Sequence, residues 1–172
     1  MTNWQDRLFD VLKENRVRQV AYVPDAGHAR LIERAEGDPD LRAVVLTTEE
    51  EGVALVCGAW LGGERAVLLM QSSGVGNCVN MFSLLSNCRF PFLALITMRG
   101  EWAEFNPWQV PMAKATPVAL ESMGITVFRV TEAKDVVETV QSAAELAFGS
   151  EQAVAVLLSQ RLIGRKTWIS EK

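Results

Sequence analysis

The apolar positions of this chain switch repeatedly between a helical and an extended spacing. Trp4, Leu8, Phe9, Val11 and Leu12 recur at mainly helical spacing over residues 3–14, and RQVAYV at 18–23 reads as a short strand ended by Pro24. The loop PDAGH leads into a helix over 29–35, a strand over 43–46, a helix after a run of glutamates, and a strand at 65–70. The stretch SSGVGN then breaks the chain before a helix around 78–87, and FLALITM at 92–98 is the next strand. After a polar, aromatic loop the alternation resumes, with a helix near 117–123, a strand at 126–130, a helix at 133–148 and a strand at 153–158; residues 170–172 are expected to fray. The runs VLLM, LALI and AVAVLL do not alternate with polar residues, as expected of parallel strands covered on both faces. The predicted class is α/β, a three-layer α/β/α arrangement around a single, mostly parallel sheet of six strands.

Composition narrows this without changing it. At 172 residues and 49% hydrophobic, the chain suits one domain with a substantial core, spanning 1–172. A formal net charge of −4 and scattered lysines and arginines give no footprint for nucleic acid. No segment reads as a signal peptide or a membrane span, so a cytoplasmic protein is expected. Cys57, Cys78 and Cys88 form an odd set with no CxxC pair, and His28 is the single histidine, which argues against a disulfide framework or a zinc site. Cys78 is the one thiol of interest, because the pattern places it in the first turn of a helix, where the dipole lowers a thiol pKa.

Three chemically loaded stretches fall at the carboxyl ends of predicted strands, the edge where open parallel sheets bind ligands: TTEEEG, QSSGVGN and RGEW…NPWQ. Thr48 with Glu51, or Thr47 with Glu50, fits a capping box, so at least one glutamate starts a helix. The helix that follows, GVALVCGAWL, carries no charge and needs cover on every side. The sheet supplies one side and a subunit interface is expected to supply the other, which implies an oligomer. QSSGVGN has Gly74 and Gly76 but Val79 where a dinucleotide fingerprint requires a third glycine. It is either a glycine turn into a helix or a ligand-facing loop. His28 follows the first strand and is either a helix-start hydrogen-bonding residue or a substrate contact. Arg99 could pair with an acidic substrate group or with Glu101 or Glu104. Trp102, Phe105, Pro107 and Trp108 form a loop apolar enough to be a lid or a docking surface.

Taken together, a glutamate ahead of Gly-Val-Ala-x-x-x-Gly, then VLLMQSSGVGN, ALITMRGEW and NPWQVP, resemble the pyrimidine-binding domain of thiamine-diphosphate decarboxylases. Within them the likeness is to the alpha subunit of sulfopyruvate decarboxylase and the equivalent region of phosphonopyruvate decarboxylase, over roughly residues 5–160. The resemblance implies that the glutamate nine positions before Gly58, which is Glu49, bonds N1′ of the cofactor's aminopyrimidine and relays the proton that forms the thiazolium ylide. It implies that Gln71, Ser72, Gly74, Gly76 and Asn77 lie against cofactor, with Gln71 and Asn77 also facing substrate, where His28 and Arg99 stand as further candidates from their places at strand ends. The family's Gly-Asp-Gly motif is missing, since Gly37-Asp38 is followed by Pro39. This implies a half-enzyme whose beta subunit carries the diphosphate-binding domain and Mg²⁺, in a homo- and hetero-oligomer. The expected reaction is decarboxylation of a 2-oxoacid, 3-sulfopyruvate first and phosphonopyruvate next. Carboligation, or a non-catalytic nucleotide-binding α/β module, are the alternatives.

Overall fold

A computed structural model describes residues 3–165; the expected fraying at 170–172 lies outside them. In chain order the elements are α1 (Trp4–Glu14), β1 (Val17–Tyr22), α2 (Ala29–Glu36), β2 (Arg42–Val45), α3 (Glu49–Leu61), β3 (Arg65–Gln71), α4 (Ser72–Cys78), α5 (Ser83–Cys88) and β4 (Phe92–Thr97). They continue with α6 (Val110–Ser122), β5 (Thr126–Val130), α7 (Val136–Gly149), β6 (Ala153–Leu158) and α8 (Gln160–Ile163).

The six strands form one sheet in the order β2-β1-β3-β4-β6-β5, and every pairing is parallel. Side chains along a strand point alternately to opposite faces, so each apolar run feeds two cores. Val67 and Leu69 join Leu8, Phe9, Leu31, Val140 and Ala144 on the face covered by α1, α2 and α7. Ala66, Leu68 and Met70 join Val53, Val56, Val75, Leu85 and Leu120 on the face covered by α3, α4, α5 and α6. That two-sided demand explains why the central strands β3, β4 and β6 are almost wholly apolar. It also confirms the three-layer α/β/α class.

Two helix boundaries differ from the pattern in the sequence. SSGVGN is not a break: α4 begins at Ser72, directly after β3, and runs through both glycines to Cys78. Low helix propensity is overridden by close packing. A Cβ on Gly74 would lie 2.3 Å from the Glu49 carboxyl, and one on Gly76 would touch Met112 at 3.5 Å. The expected 78–87 helix is consequently the end of α4, a turn and the short α5. Cys78 therefore ends a helix rather than starting one, and burial pushes its thiol up to about 12, with the Glu49 and Glu50 charges adding to the effect. The reactive-thiol expectation is withdrawn. The other difference is α6, which starts at Val110 and carries Pro117 internally, seven residues ahead of its expected start. The Thr116 hydroxyl lies at that point, bonding Met112 O at 2.7 Å and Ser72 O at 3.2 Å, and so fastens α6 to the head of α4.

The chain leaves β1 toward β2 on one side and β3 lies on the other, so the sheet reverses winding direction between β1 and β3. In such folds the loops at that reversal part and leave a crevice beyond the strand ends. The β1–α2 loop and the β3–α4 junction flank it here.

Candidate active site at the carboxyl edge of the sheet

The three glutamates at the head of α3 separate cleanly. Glu51 turns back to accept from the Thr47 backbone N–H at 2.9 Å and so starts the helix. Glu50 is exposed to solvent. Glu49 is 9% exposed and points across to α4, where Asn77 Nδ2 donates to its Oε2 at 2.9 Å and the bare backbone of Gly74 lies against its carboxyl. The first helical turn thus places three carboxylates about 100° apart and sends only one toward the neighbouring helix.

A second cluster lies beside it, around a residue that the sequence reading did not single out. Asp25, in the PDAGH loop, accepts from Gln71 Nε2 at 2.9 Å, Thr97 Oγ1 at 2.6 Å and the Gly27 N–H at 3.1 Å. Its carboxylate joins the ends of β1, β3 and β4. Gly27 permits this, since a Cβ there would meet Thr97 Cγ2 at 2.7 Å. The available signal was positional: an aspartate in the loop beyond Pro24, at the same strand edge as the other two stretches.

The remaining candidates divide between these clusters and the surrounding frame. Gln71 bonds Asp25 and also accepts from Ser73 Oγ at 3.0 Å, so it belongs to the second cluster rather than to that of Glu49. Ser72 is fully buried, and its Oγ accepts from the Arg99 N–H at 3.1 Å, tying the head of α4 to the end of β4. Gly76 is exposed beside Met112. His28 is 2% exposed, with Nε2 3.0 Å from Leu95 O; burial lowers its pKa, so the ring is neutral at pH 7. Arg99 is held in a bidentate ion pair with Glu104, both contacts at 2.6 Å.

That ion pair organises the aromatic loop. Glu104 also accepts from the N–H groups of Gly100 and Asn106 and from Gln160 Nε2, while Gln160 Oε1 accepts from the N–H groups of Glu101 and Trp102. The loop backbone is pinned, yet Trp102, Phe105 and Trp108 remain exposed, Trp108 at 84%. The Arg99 hydrogen bonds hold the Glu104 carboxyl at about 2, down from its ordinary 4.5. Between those two values the unfolded chain takes up a proton that the folded chain refuses, so the stability contributed by Glu104 is complete above about 4.5 and drains away as pH falls toward 2. Acid titration followed by tryptophan emission should show the wild type losing stability over that window more steeply than Glu104→Gln; matching slopes would remove the ion pair as the loop's anchor.

Among the described residues no group of three or more His, Cys, Asp or Glu is placed to hold a metal ion, and no helix is long and apolar enough to cross a membrane.

The chain has relatives among known proteins. No protein-family model matches the chain. It is 32% identical over 157 residues to the sulfopyruvate decarboxylase subunit alpha of Methanococcus maripaludis, covering 91% of this chain and 94% of that subunit. It is 30% identical over 128 residues to the sulfopyruvate decarboxylase of Methanosarcina acetivorans, covering 73% of this chain and only 32% of that longer protein. Among solved structures, the 2-oxoglutarate:ferredoxin oxidoreductase from Magnetococcus marinus superposes with a TM-score of 0.72 at 14% identity, over 99% of this chain and 34% of that one. The last likeness speaks for the fold; the first, spanning nearly the whole of both chains, decides the family: this chain belongs to the sulfopyruvate decarboxylase alpha subunits.

Proposed function

We propose that this chain is the alpha subunit of a two-chain thiamine-diphosphate-dependent decarboxylase that converts 3-sulfopyruvate to sulfoacetaldehyde and carbon dioxide. The observation that carries the reading is the Glu49 carboxyl, buried against Gly74 and held by Asn77 at the carboxyl edge of the sheet. Those residues fit an aminopyrimidine ring. The Glu49 carboxyl would pair with a ring nitrogen, and the first turn of α4, bare of side chain at Gly74, leaves that carboxyl its room. Thiamine diphosphate would supply the carbanion that adds to the 2-oxo carbon and accepts the electrons left by departing carbon dioxide. Glu49 would hold and return the proton at the pyrimidine N1′ atom, which an amide in its place could not do. Asn77 would fix the carboxyl by donating to its second oxygen. Asp25, with Gln71 and Thr97 around it, would line the substrate side of the same crevice.

The Methanococcus maripaludis relative, matched over 94% of its length, is by name one subunit of its enzyme, which supports a partner chain that would supply the diphosphate and Mg²⁺ contacts. The outer face of α3 supports an assembly too. Ala54, Gly58 and Leu61 are exposed in the lone chain, Leu61 at 75%, although the helix beyond its first turn carries no charge. A stripe of that kind in water is a surface awaiting a neighbour.

Calorimetry with thiamine diphosphate and Mg²⁺, on this chain alone and after adding a partner that carries the Gly-Asp-Gly motif, tests the reading. Weak binding by the lone chain, tight binding by the pair, and carbon dioxide release from 3-sulfopyruvate ahead of phosphonopyruvate are expected. Tight binding by the lone chain, or a loaded complex inert toward 3-sulfopyruvate, would sink it.

A further inference from the structure

At the opposite edge of the sheet, where β1 and β3 begin, a hollow of about 470 Å³ is lined by Arg16, Arg18, Trp60, Gly63, Glu64 and Arg65. We propose that this hollow binds a small polyanion of the phosphate or polycarboxylate type, in a site separate from the Glu49 crevice and independent of the proposed decarboxylase function.

The arginines themselves carry the argument. Four arginines elsewhere are matched to acids, Arg30 and Arg34 to Asp6, Arg99 to Glu104, and Arg129 to Glu101, while among the described residues Arg7, Arg42, Arg89 and Arg161 have no ion pair. What sets Arg16, Arg18 and Arg65 apart is that the three line one hollow together. Among the described residues no carboxylate lies within ion-pair distance of Arg16, Arg18 or Arg65, although the chain as a whole carries a net charge of −4. Arg18 reaches only the Asp40 carbonyl, at 3.5 Å. Arg65 donates to the Asn15 carbonyl at 2.8 Å and stacks over Phe148 at 5.1 Å, so its guanidinium is fixed in place with nitrogens to spare.

Two features oppose an anion here, and neither prevails. Glu64 lines the same hollow, but its carboxylate accepts from Gln19 Nε2, leaving three guanidinium charges against one carboxylate. The C-terminus of α3 also faces this edge, with a partial charge of about −0.5 at most. Its last carbonyls are already engaged by the N–H groups of Gly62, Gly63 and Glu64. A local reversal of sign on an acidic protein attracts anions to that spot. Because the hollow is open to water, a single ion pair would be worth little. An anion that engages several guanidinium groups at once is the ligand that fits. Trp60, half-buried in the wall, gives the site a built-in reporter.

Pyrophosphate and citrate titrated separately into the 172-residue chain, by calorimetry and tryptophan fluorescence at low salt, test the proposal. Saturable binding is expected, weakening as salt rises. It should fall roughly two- to fivefold for each of Arg16→Gln and Arg18→Gln, the size of one exposed charge contact, and about tenfold in the double variant. Both side chains are exposed, so the folded state should survive, which a melting curve checks. Arg30→Gln, at an arginine already paired, should bind like the wild type. Binding of pyrophosphate alone would make this a phosphate site, and binding of both a general polyanion site. Absence of saturable binding by either, or affinity unchanged in the Arg16→Gln/Arg18→Gln double variant, would overturn the proposal.

Discussion

Replacing Glu49 with glutamine is expected to slow decarboxylation in the reconstituted two-chain enzyme by roughly 10²–10⁴-fold, the range lost with a general acid–base group, while folding and assembly persist. Glutamine has the same shape and can still accept from Asn77 Nδ2, so the 2.9 Å contact need not be lost. What it lacks is a proton to give and take at the pyrimidine nitrogen. The neighbouring glutamates make internal controls. Glu51→Gln should be nearly silent, because its amide oxygen can still accept from the Thr47 N–H. Glu50→Gln removes an exposed charge and should change the rate only modestly. Hydrogen–deuterium exchange at C2 of the cofactor, measured beside steady-state turnover, separates a lost proton relay from a lost fold. If exchange in Glu49→Gln matched the wild type while either neighbour's substitution abolished it, the wrong carboxylate would have been chosen. Indifference to all three substitutions would dispose of the thiamine mechanism.

How far the sequence led depended on the range of the interactions concerned. The strands were legible because burial on both faces demands unbroken apolar runs, and VLLM, LALI and AVAVLL each emerged as a parallel strand within a residue or two of its expected place. The glutamates could be sorted in part, because a capping interaction is local and leaves a short-range trace. Glu49's burial carries no such trace in its own neighbourhood, since the groups that cover it come from α4, 25 residues on and more. The sequence showed two glycines and so suggested a turn. The structure resolves them into a helix tolerated because one glycine lies under a carboxyl. Asp25 went unnoticed for the same reason: its partners Gln71 and Thr97 are 46 and 72 residues away. Pro117 misled in the opposite sense, as a local breaker signal that the packing of α6 on α4 overrides.

Gly74→Ala is expected to act on function almost as severely as Glu49→Gln, and on stability hardly at all. The added methyl would sit 2.3 Å from Glu49 Cδ and from Oε1, far inside the roughly 3.5–4 Å at which such atoms rest. Something must move. The head of α4 is fastened by Ser72 to the Arg99 N–H and by Ser72 O to the Thr116 hydroxyl, so the backbone resists. The Glu49 carboxyl is the end of a flexible side chain near the surface, and it should yield by rotating away from Asn77. The energetic cost is then one side-chain hydrogen bond of about 1 kcal/mol. It is offset by a gain of similar size, since alanine is favoured over glycine within a helix by about 1 kcal/mol. Gly52→Ala provides the contrast on the same helix as Glu49. Its Cβ would meet Leu68 Cδ1 at 2.3 Å and Leu46 Cδ1 at 2.8 Å inside a packed core, and overpacking there costs about 1–3 kcal/mol. Thermal melts and turnover of the two variants should therefore separate, with Gly74→Ala stable and slowed by about 10²-fold or more, and Gly52→Ala melting earlier. Wild-type turnover in Gly74→Ala would show that the Glu49 carboxyl does its work, if any, from somewhere other than the α4 cradle.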